Sequence, residues 1–288
     1  MSLTVEVLNL GDVPADWSFT VFGRPPGTMV VGPAQAFLIL GGERPLLVDA
    51  GTRNREVLAR LGMDPPWDED APRFLEQELA RFDLEVGDIG AVIQTHLHVD
   101  HAGRLDAFPM TTPVIVNRAE LSFAFSGLQG PFYAPEDLAH VLQRLYTPGA
   151  LGILDLPLGE VAPLFPGVRA LALGGHTPGS IGVLVDTDEG VAVLCGDVVY
   201  EVAGALVDPP FPLHHQEPSL SGNHATSLLE EKTALKRALA AGRFLYPSHD
   251  PYGAVVEDGR VIGRVGPHLP GPVLPFDAAP SVLAADRT

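Results

Sequence analysis

The sequence holds a single cysteine, Cys195, in 288 residues. One thiol excludes an internal disulfide framework and any thiolate-based zinc cluster, both of which need several cysteines at fixed spacing. A bound metal would therefore rest on histidine and carboxylate. Cations are scarce as well: 18 Lys+Arg stand against 36 Asp+Glu, a formal charge of −18, and no basic run occurs. Phosphate backbones are bound through clustered cations that release counterions, so no nucleic acid partner is expected. No stretch approaches the roughly 18 consecutive apolar residues of a membrane span. The start, MSLTVEVLNLGDV, lacks the basic and apolar regions of a secretory signal. A soluble, cytoplasmic protein with no membrane partner is the expectation. The Gly-x-Ser-x-Gly turn of serine hydrolases is missing too.

What is present is a large apolar fraction, 46% hydrophobic against 19% charged, enough to bury a substantial core. Short apolar runs at 34–40, 45–48, 91–94, 113–117, 168–173, 181–185 and 191–195 read as strands. Helical spacing shows near 70–83, with Phe74, Leu75, Leu79 and Phe82 on one side, and near 225–241, with Leu228, Leu235 and Leu239. Interleaved strands and helices without a repeat predict an α/β protein of stacked sheets covered by helices. A single domain spanning 1–288 is expected. Two long irregular stretches, 17–33 and 202–223, read as lids or binding loops, and 266–288 as a strand-poor tail.

The chemistry is concentrated in AVIQTHLHVDHAG, residues 91–103, where four metal-capable side chains, His96, His98, Asp100 and His101, fall within six positions. In an extended segment, side chains two apart share a face, so His96 and His98 can share one ion while a turn directs Asp100 and His101 elsewhere. Three more candidates follow apolar runs: His176 in LALGGHTPGS, Asp197 in VAVLCGD and His249 in FLYPSHD. Strand ends can bring such distant residues to one rim of a sheet. Cys195, two residues before Asp197 in an apolar run, reads as a buried small hydrophobe.

This order, His-x-His-x-Asp-His followed by a lone His, a lone Asp and a final His, resembles the metallo-β-lactamase superfamily over about Ala34 to Tyr252. The resemblance implies a four-layer αβ/βα sandwich of two mixed β-sheets flanked by helices, with a dinuclear site at one edge. It implies that His96, His98 and His176 hold one metal, that Asp100, His101 and His249 hold the other, and that Asp197 bridges them. It also implies that Asp49 of LLVDAGT braces the metal-binding loop. Two divalent ions are expected, zinc before iron, manganese or cobalt, and a bridging hydroxide as the nucleophile of a hydrolase.

Tyr200, three residues after Asp197, resembles the N-acyl homoserine lactonase branch. That implies a lactonase in which Tyr200 stabilises the oxyanion and Asp100 passes a proton to the ring oxygen. Ser180 stands where the commoner family form has a second His, which leaves the subfamily open. An apolar groove for the acyl chain is expected from Trp17, Phe19, Phe22 and Met29 in the first long loop and Phe211 and Leu213 in the second. His214, His215 and His224 match no ligand position. A homodimer is consistent with aromatic residues near these loops. Alternative readings are a phosphotriesterase-like hydrolase, a thioesterase of the glyoxalase II kind, a mononuclear-iron persulfide dioxygenase and a metal-stabilised binding protein without catalysis. A ribonuclease is disfavoured by charge.

Overall fold

The computed structural model describes residues 2–68, 74–207 and 226–276. In chain order the elements are β1 (Thr4–Asp16), α1 (Trp17–Thr20), β2 (Met29–Leu40), β3 (Leu46–Val48), α2 (Arg55–Ala59), α3 (Phe74–Ala80), β4 (Ala91–Ile93), α4 (Val99–Ala102), β5 (Val114–Asn117), α5 (Arg118–Ala124), α6 (Pro135–Leu145) and β6 (Leu151–Leu154). There follow β7 (Val161–Phe165), β8 (Val168–Ala172), β9 (Ile181–Thr187), β10 (Gly190–Gly196), α7 (Leu228–Ala241), β11 (Phe244–Pro247), β12 (Gly253–Glu257), β13 (Arg260–Val265), β14 (His268–Leu269) and β15 (Val273–Leu274). Among the described residues the strands form two sheets, ordered β14-β1-β2-β3-β4-β5-β6 and β15-β13-β12-β11-β10-β9-β8-β7. Both are mixed: β3 to β6 run parallel, as do β10 and β11, while the hairpin strands are antiparallel.

Alternate residues of the central strands face opposite layers, which explains why those strands are apolar throughout. In β4, Ala91 and Ile93 enter the core between the sheets and Val92 the core under the helices; in β2, Phe37 and Ile39 divide in the same way from Leu38. The inter-sheet core joins Val5, Val48 and Ile93 to Ile181, Leu194 and Tyr246. Outside the first sheet, Leu75 and Leu79 of α3 and Val141 of α6 cover Leu38, Leu47 and Val114. Outside the second, Ala234, Leu235 and Ala238 of α7 cover Val193 and Leu245. The result is the four-layer αβ/βα sandwich that the resemblance implies.

Some local expectations need correction. The stretch 17–33 is not wholly irregular: Trp17–Thr20 forms a helical turn capped by Asp16, and residues 29–33 extend β2 by pairing with 12–16. Strand β1 itself escapes the periodicity because Gly11 and Pro14 interrupt it. A bulge between Asn9 and Asp12 accommodates the first, and β14, which pairs only with Val5 and Glu6, leaves the other edge free at Pro14. In the tail, β14 returns to the first sheet and β15 adds to the second. Of 202–223, residues Ala203–Val207 form one π-helical turn, while 208–225 lie outside the described residues. No helix among the described residues is long and apolar enough to cross a membrane.

Candidate metal centre

The sequence-expected ligand residues converge at one edge of the sandwich, each just beyond a strand. His96 and His98 follow β4, with Asp100 and His101 in the first turns of α4; His176 follows β8, Asp197 follows β10 and His249 follows β11. Gly196 makes the turn between β10 and Asp197 with φ 59°, and a Cβ there would lie 2.8 Å from Thr95 Oγ1. Only glycine combines that dihedral with that approach.

The side chains form two groups, His96 with His98 and His176, and Asp100 with His101, Asp197 and His249; within each, one donor atom per residue lies within 4.8 Å of the others. Asp197 faces both. Its Oδ1 lies 3.2 Å from His101 Nε2 and 3.3 Å from His249 Nε2, and its Oδ2 lies 3.6 Å from His176 Nε2 and 3.9 Å from His96 Nε2. Asp100 completes the second group, with Oδ2 3.4 Å from His249 Nε2 and Oδ1 3.7 Å from His101 Nε2.

Hydrogen bonds on the far side of the rings orient four of the five imidazoles. His101 Nδ1 donates to Asp49 Oδ2 at 2.8 Å and His249 Nδ1 to the Pro33 carbonyl at 2.9 Å. His96 Nδ1 lies 3.1 Å from Thr95 Oγ1, whose own proton goes to Asp49 at 2.7 Å. His98 is turned the other way: Nε2 donates to Gln129 Oε1 at 3.1 Å and Nδ1 points inward, 3.0 Å from His176 Nε2. Such outer bonds fix the tautomer that leaves a bare nitrogen facing the centre. Asp49, which also accepts the Thr95 N–H at 2.8 Å, ties β3 to the loop after β4.

Electrostatics divides the histidines. Burial, reinforced by neighbouring imidazoles, holds His96 well below the usual range, burial likewise lowers His176, and it takes His98 down to about 4, so all three stay neutral at pH 7. For His101 and His249 burial opposes protonation, but Asp197 and the carboxylates around it outweigh burial and raise both. Burial would raise Asp197, yet His101 and His249 hold it well below the ordinary carboxylate range. Burial pushes the Cys195 thiol up, which removes it as a nucleophile.

The residues fit a pair of cations. His96 Nε2, His101 Nε2 and Asp197 Oδ1 are fully buried, face the centre and have no hydrogen-bond partner among the described residues. Orphaned buried donor atoms of this kind are costly in a folded protein unless something charged binds them. The set of imidazole and carboxylate suits a borderline divalent ion.

The model of the metallo-beta-lactamase superfamily matches residues 29–271. The chain belongs to this superfamily. Within it, a Bacillus N-acyl homoserine lactonase is 29% identical over 204 residues, covering 68% of this chain and 76% of the relative. A crystal structure of a mutant of B. thuringiensis AiiA with N-decanoyl-L-homoserine bound at the active site superposes with a TM-score of 0.57 and 26% identity, over 69% of this chain and 78% of that one. The superfamily is broader than lactonases: Ribonuclease TTHA0252 of Thermus thermophilus is 29% identical over 189 residues, 62% of this chain but only 38% of its own.

Beside the candidate metal centre lies a narrow cavity. Its polar end is made by His98, Asp100, Asp197 and His249, beneath Tyr200; its apolar walls are Val13, Ala15, Phe19, Val30, Leu58, Leu61, Met63, Val99 and Phe132. Of the described aromatics expected to form the groove, only Phe19 reaches it. The indole of Trp17 donates to Glu201 Oε2 at 3.1 Å and lies under the Arg24 guanidinium, while Phe22 and Met29 are exposed. Phe211 and Leu213, like His214, His215 and His224, lie outside the described residues. Much of the wall instead comes from β1, β2, the segment around α2, and Phe132, none of which carries a sequence motif.

Removing metal with a chelator is expected to abolish hydrolysis while the far-UV circular dichroism stays near native, because the three main cores do not depend on the site. Unfolding on chelation would favour a structural metal instead.

Proposed function

We propose that the chain is a metal-dependent lactonase that opens N-acyl homoserine lactones or related uncharged lactones. The observation that carries this reading is the cavity: among the described residues no Lys or Arg lines it, and a wall of aliphatic and aromatic groups leads to a carboxylate- and histidine-lined end. Such a cavity suits a neutral ring with an apolar tail. A glutathione thioester brings carboxylates that this cavity gives nothing to pair with, and a formal charge of −18 repels RNA. The lactonase relatives point the same way.

In this reading His96, His98 and His176 hold one divalent ion and Asp100, His101 and His249 the other, with Asp197 between them. Bound there, such ions activate water at neutral pH and polarise a substrate carbonyl. The protein's own part falls to Tyr200 and Asp100. The Tyr200 ring is stacked on His249, 5.1 Å between centroids and 17° from parallel, and meets Phe19 edge-on at 5.8 Å. That packing holds the phenol at the cavity's polar end, where it donates to the oxyanion that forms as the carbonyl is attacked. Asp100, more exposed than His101, His249 and Asp197, takes a proton from the attacking water and passes it to the ring oxygen as the C–O bond breaks. The product is a hydroxy acid, which releases one proton at neutral pH.

Tyr200→Phe is expected to lower turnover about 100-fold, the usual loss for one oxyanion donor, with unchanged metal content by elemental analysis. An unaltered rate would remove Tyr200 from the chemistry. The substrate assignment is tested by proton release on homoserine lactones of graded chain length, simple lactones, a glutathione thioester and a phosphotriester, with metal measured on the same sample. Faster turnover of the thioester or phosphotriester than of every lactone would overturn it, and a single iron per chain would favour the dioxygenase reading.

A further inference from the structure

We infer that Glu120 is a positioning residue that clamps together the two loops carrying the first group of ligands, His96, His98 and His176, an inference that rests on the proposed metal centre. Glu120 is completely buried in the first turn of α5, with no Lys or Arg among the groups that hydrogen-bond to it. Its Oε1 accepts the backbone N–H of Leu97 at 2.9 Å, between His96 and His98, and the hydroxyl of Tyr133 at 2.9 Å. Its Oε2 accepts the hydroxyl of Thr177, the residue after His176, at 2.5 Å. One carboxylate thus fastens both ligand loops.

The surrounding contacts leave the clamp little freedom. Thr177 is held by Ser180, whose Oγ lies 2.8 Å from the Thr177 hydroxyl and accepts its backbone N–H at 3.1 Å. Gly179 lets this loop rest directly on α5, since a Cβ at 179 would lie 1.9 Å from the Glu120 nitrogen. Tyr133 packs its ring against His98 with centroids 4.8 Å apart, so the phenol that binds Glu120 also restrains that ligand. The residues of the second group make no hydrogen bond to Glu120; their outer partners are Asp49 and the Pro33 carbonyl. A carboxylate is required because all three partners are donors and both oxygens are used. A glutamine offers one acceptor oxygen and turns N–H groups toward the remaining donors.

The consequence is selective. Glu120→Gln, titrated as the metal-free full chain with zinc against a chromophoric chelator, is expected to weaken one of two sites by about 10- to 100-fold, the range for outer partners of metal ligands, and to leave the other unchanged. Cobalt substitution should show altered d–d bands for the weakened site alone. Equal weakening of both sites, or unchanged affinities with only a lower melting temperature, would show a merely structural carboxylate and overturn the inference. Should Glu120→Gln fail to fold, Thr177→Val, which cuts only the tie to the His176 loop, decides in the same titration by the same two outcomes. Metal binding is read here without any lactone, so loss of the substrate assignment leaves the test intact; a wild-type chain that binds no zinc would remove both the metal centre and the clamp.

Discussion

Asp197→Asn is expected to reduce kcat/KM by about 10²–10³-fold and to lower metal content, with the fold retained. The carboxylate faces both groups of proposed ligands, with Oδ1 toward His101 and His249 and Oδ2 toward His176, His96 and His249. An amide of the same shape keeps one acceptor oxygen but loses the charge and presents N–H groups to the other side. One group then loses an anionic ligand, and the proposed pair of cations loses the negative charge that lies between the two groups. Metal catalysis contributes several kcal/mol of transition-state stabilisation; losing roughly 3–4 kcal/mol of it at 1.36 kcal/mol per decade gives the stated range. Proton release on the best lactone, elemental analysis and circular dichroism check the three parts. Full metal content with a near-normal rate would show that Asp197 is not shared between two ions.

Arg144→Met is expected to cost roughly 3–5 kcal/mol of stability. Arg144 lies fully buried in α6, and its guanidinium donates to the carbonyls of Phe108 at 2.6 Å, Thr112 at 2.9 Å and Leu105 at 3.0 Å, and to His140 Nε2 at 2.9 Å. These carbonyls belong to the segment that follows α4, so the arginine pins the far side of the loop bearing Asp100 and His101. Methionine fills much of the volume but leaves buried carbonyls without a donor, at about 1–3 kcal/mol each before relaxation. A thermal midpoint lower by roughly 10 °C is the expected reading for a chain of this size. Lysine should rescue little, because a single ammonium cannot reproduce the planar fork. A midpoint within a degree or two of wild type would mean that water replaces the guanidinium.

Much of this molecule is legible in its sequence, for identifiable reasons. The runs at 91–94, 113–117, 181–185 and 191–195 correspond to observed strands because central strands buried on both faces must be continuously apolar. The candidate ligand residues can be named because metal chemistry restricts each position to histidine or carboxylate, and a local cluster of four is visible without a fold. Glu120, Gln129, Tyr133 and Arg144 were not legible. Nothing in NRAELSF or GLQGPFY distinguishes a buried clamp from a solvated helix start, since the distinction lies in what Leu97 and Thr177 bring to it from 23 and 57 residues away. The described walls of the cavity are hard to read from the sequence for a related reason. Aromatics in a long loop suggested its walls, but Trp17 turns to Glu201, and Val13, Leu58 and Met63 line the space instead.

Composition and local pattern alone exclude an internal disulfide and a thiolate metal cluster, and also set the alternation of strands and helices and the types of candidate ligand. These depend on the identity of residues and on spacings of two to four, which a chain carries before it folds. Only the tertiary structure decided that strand ends far apart in sequence share one rim, that His98 presents Nδ1 where its neighbours present Nε2, and that Asp197 lies between the two groups. Those properties depend on distances of about 3 Å between residues up to two hundred positions apart, which two packed sheets establish and no local pattern encodes.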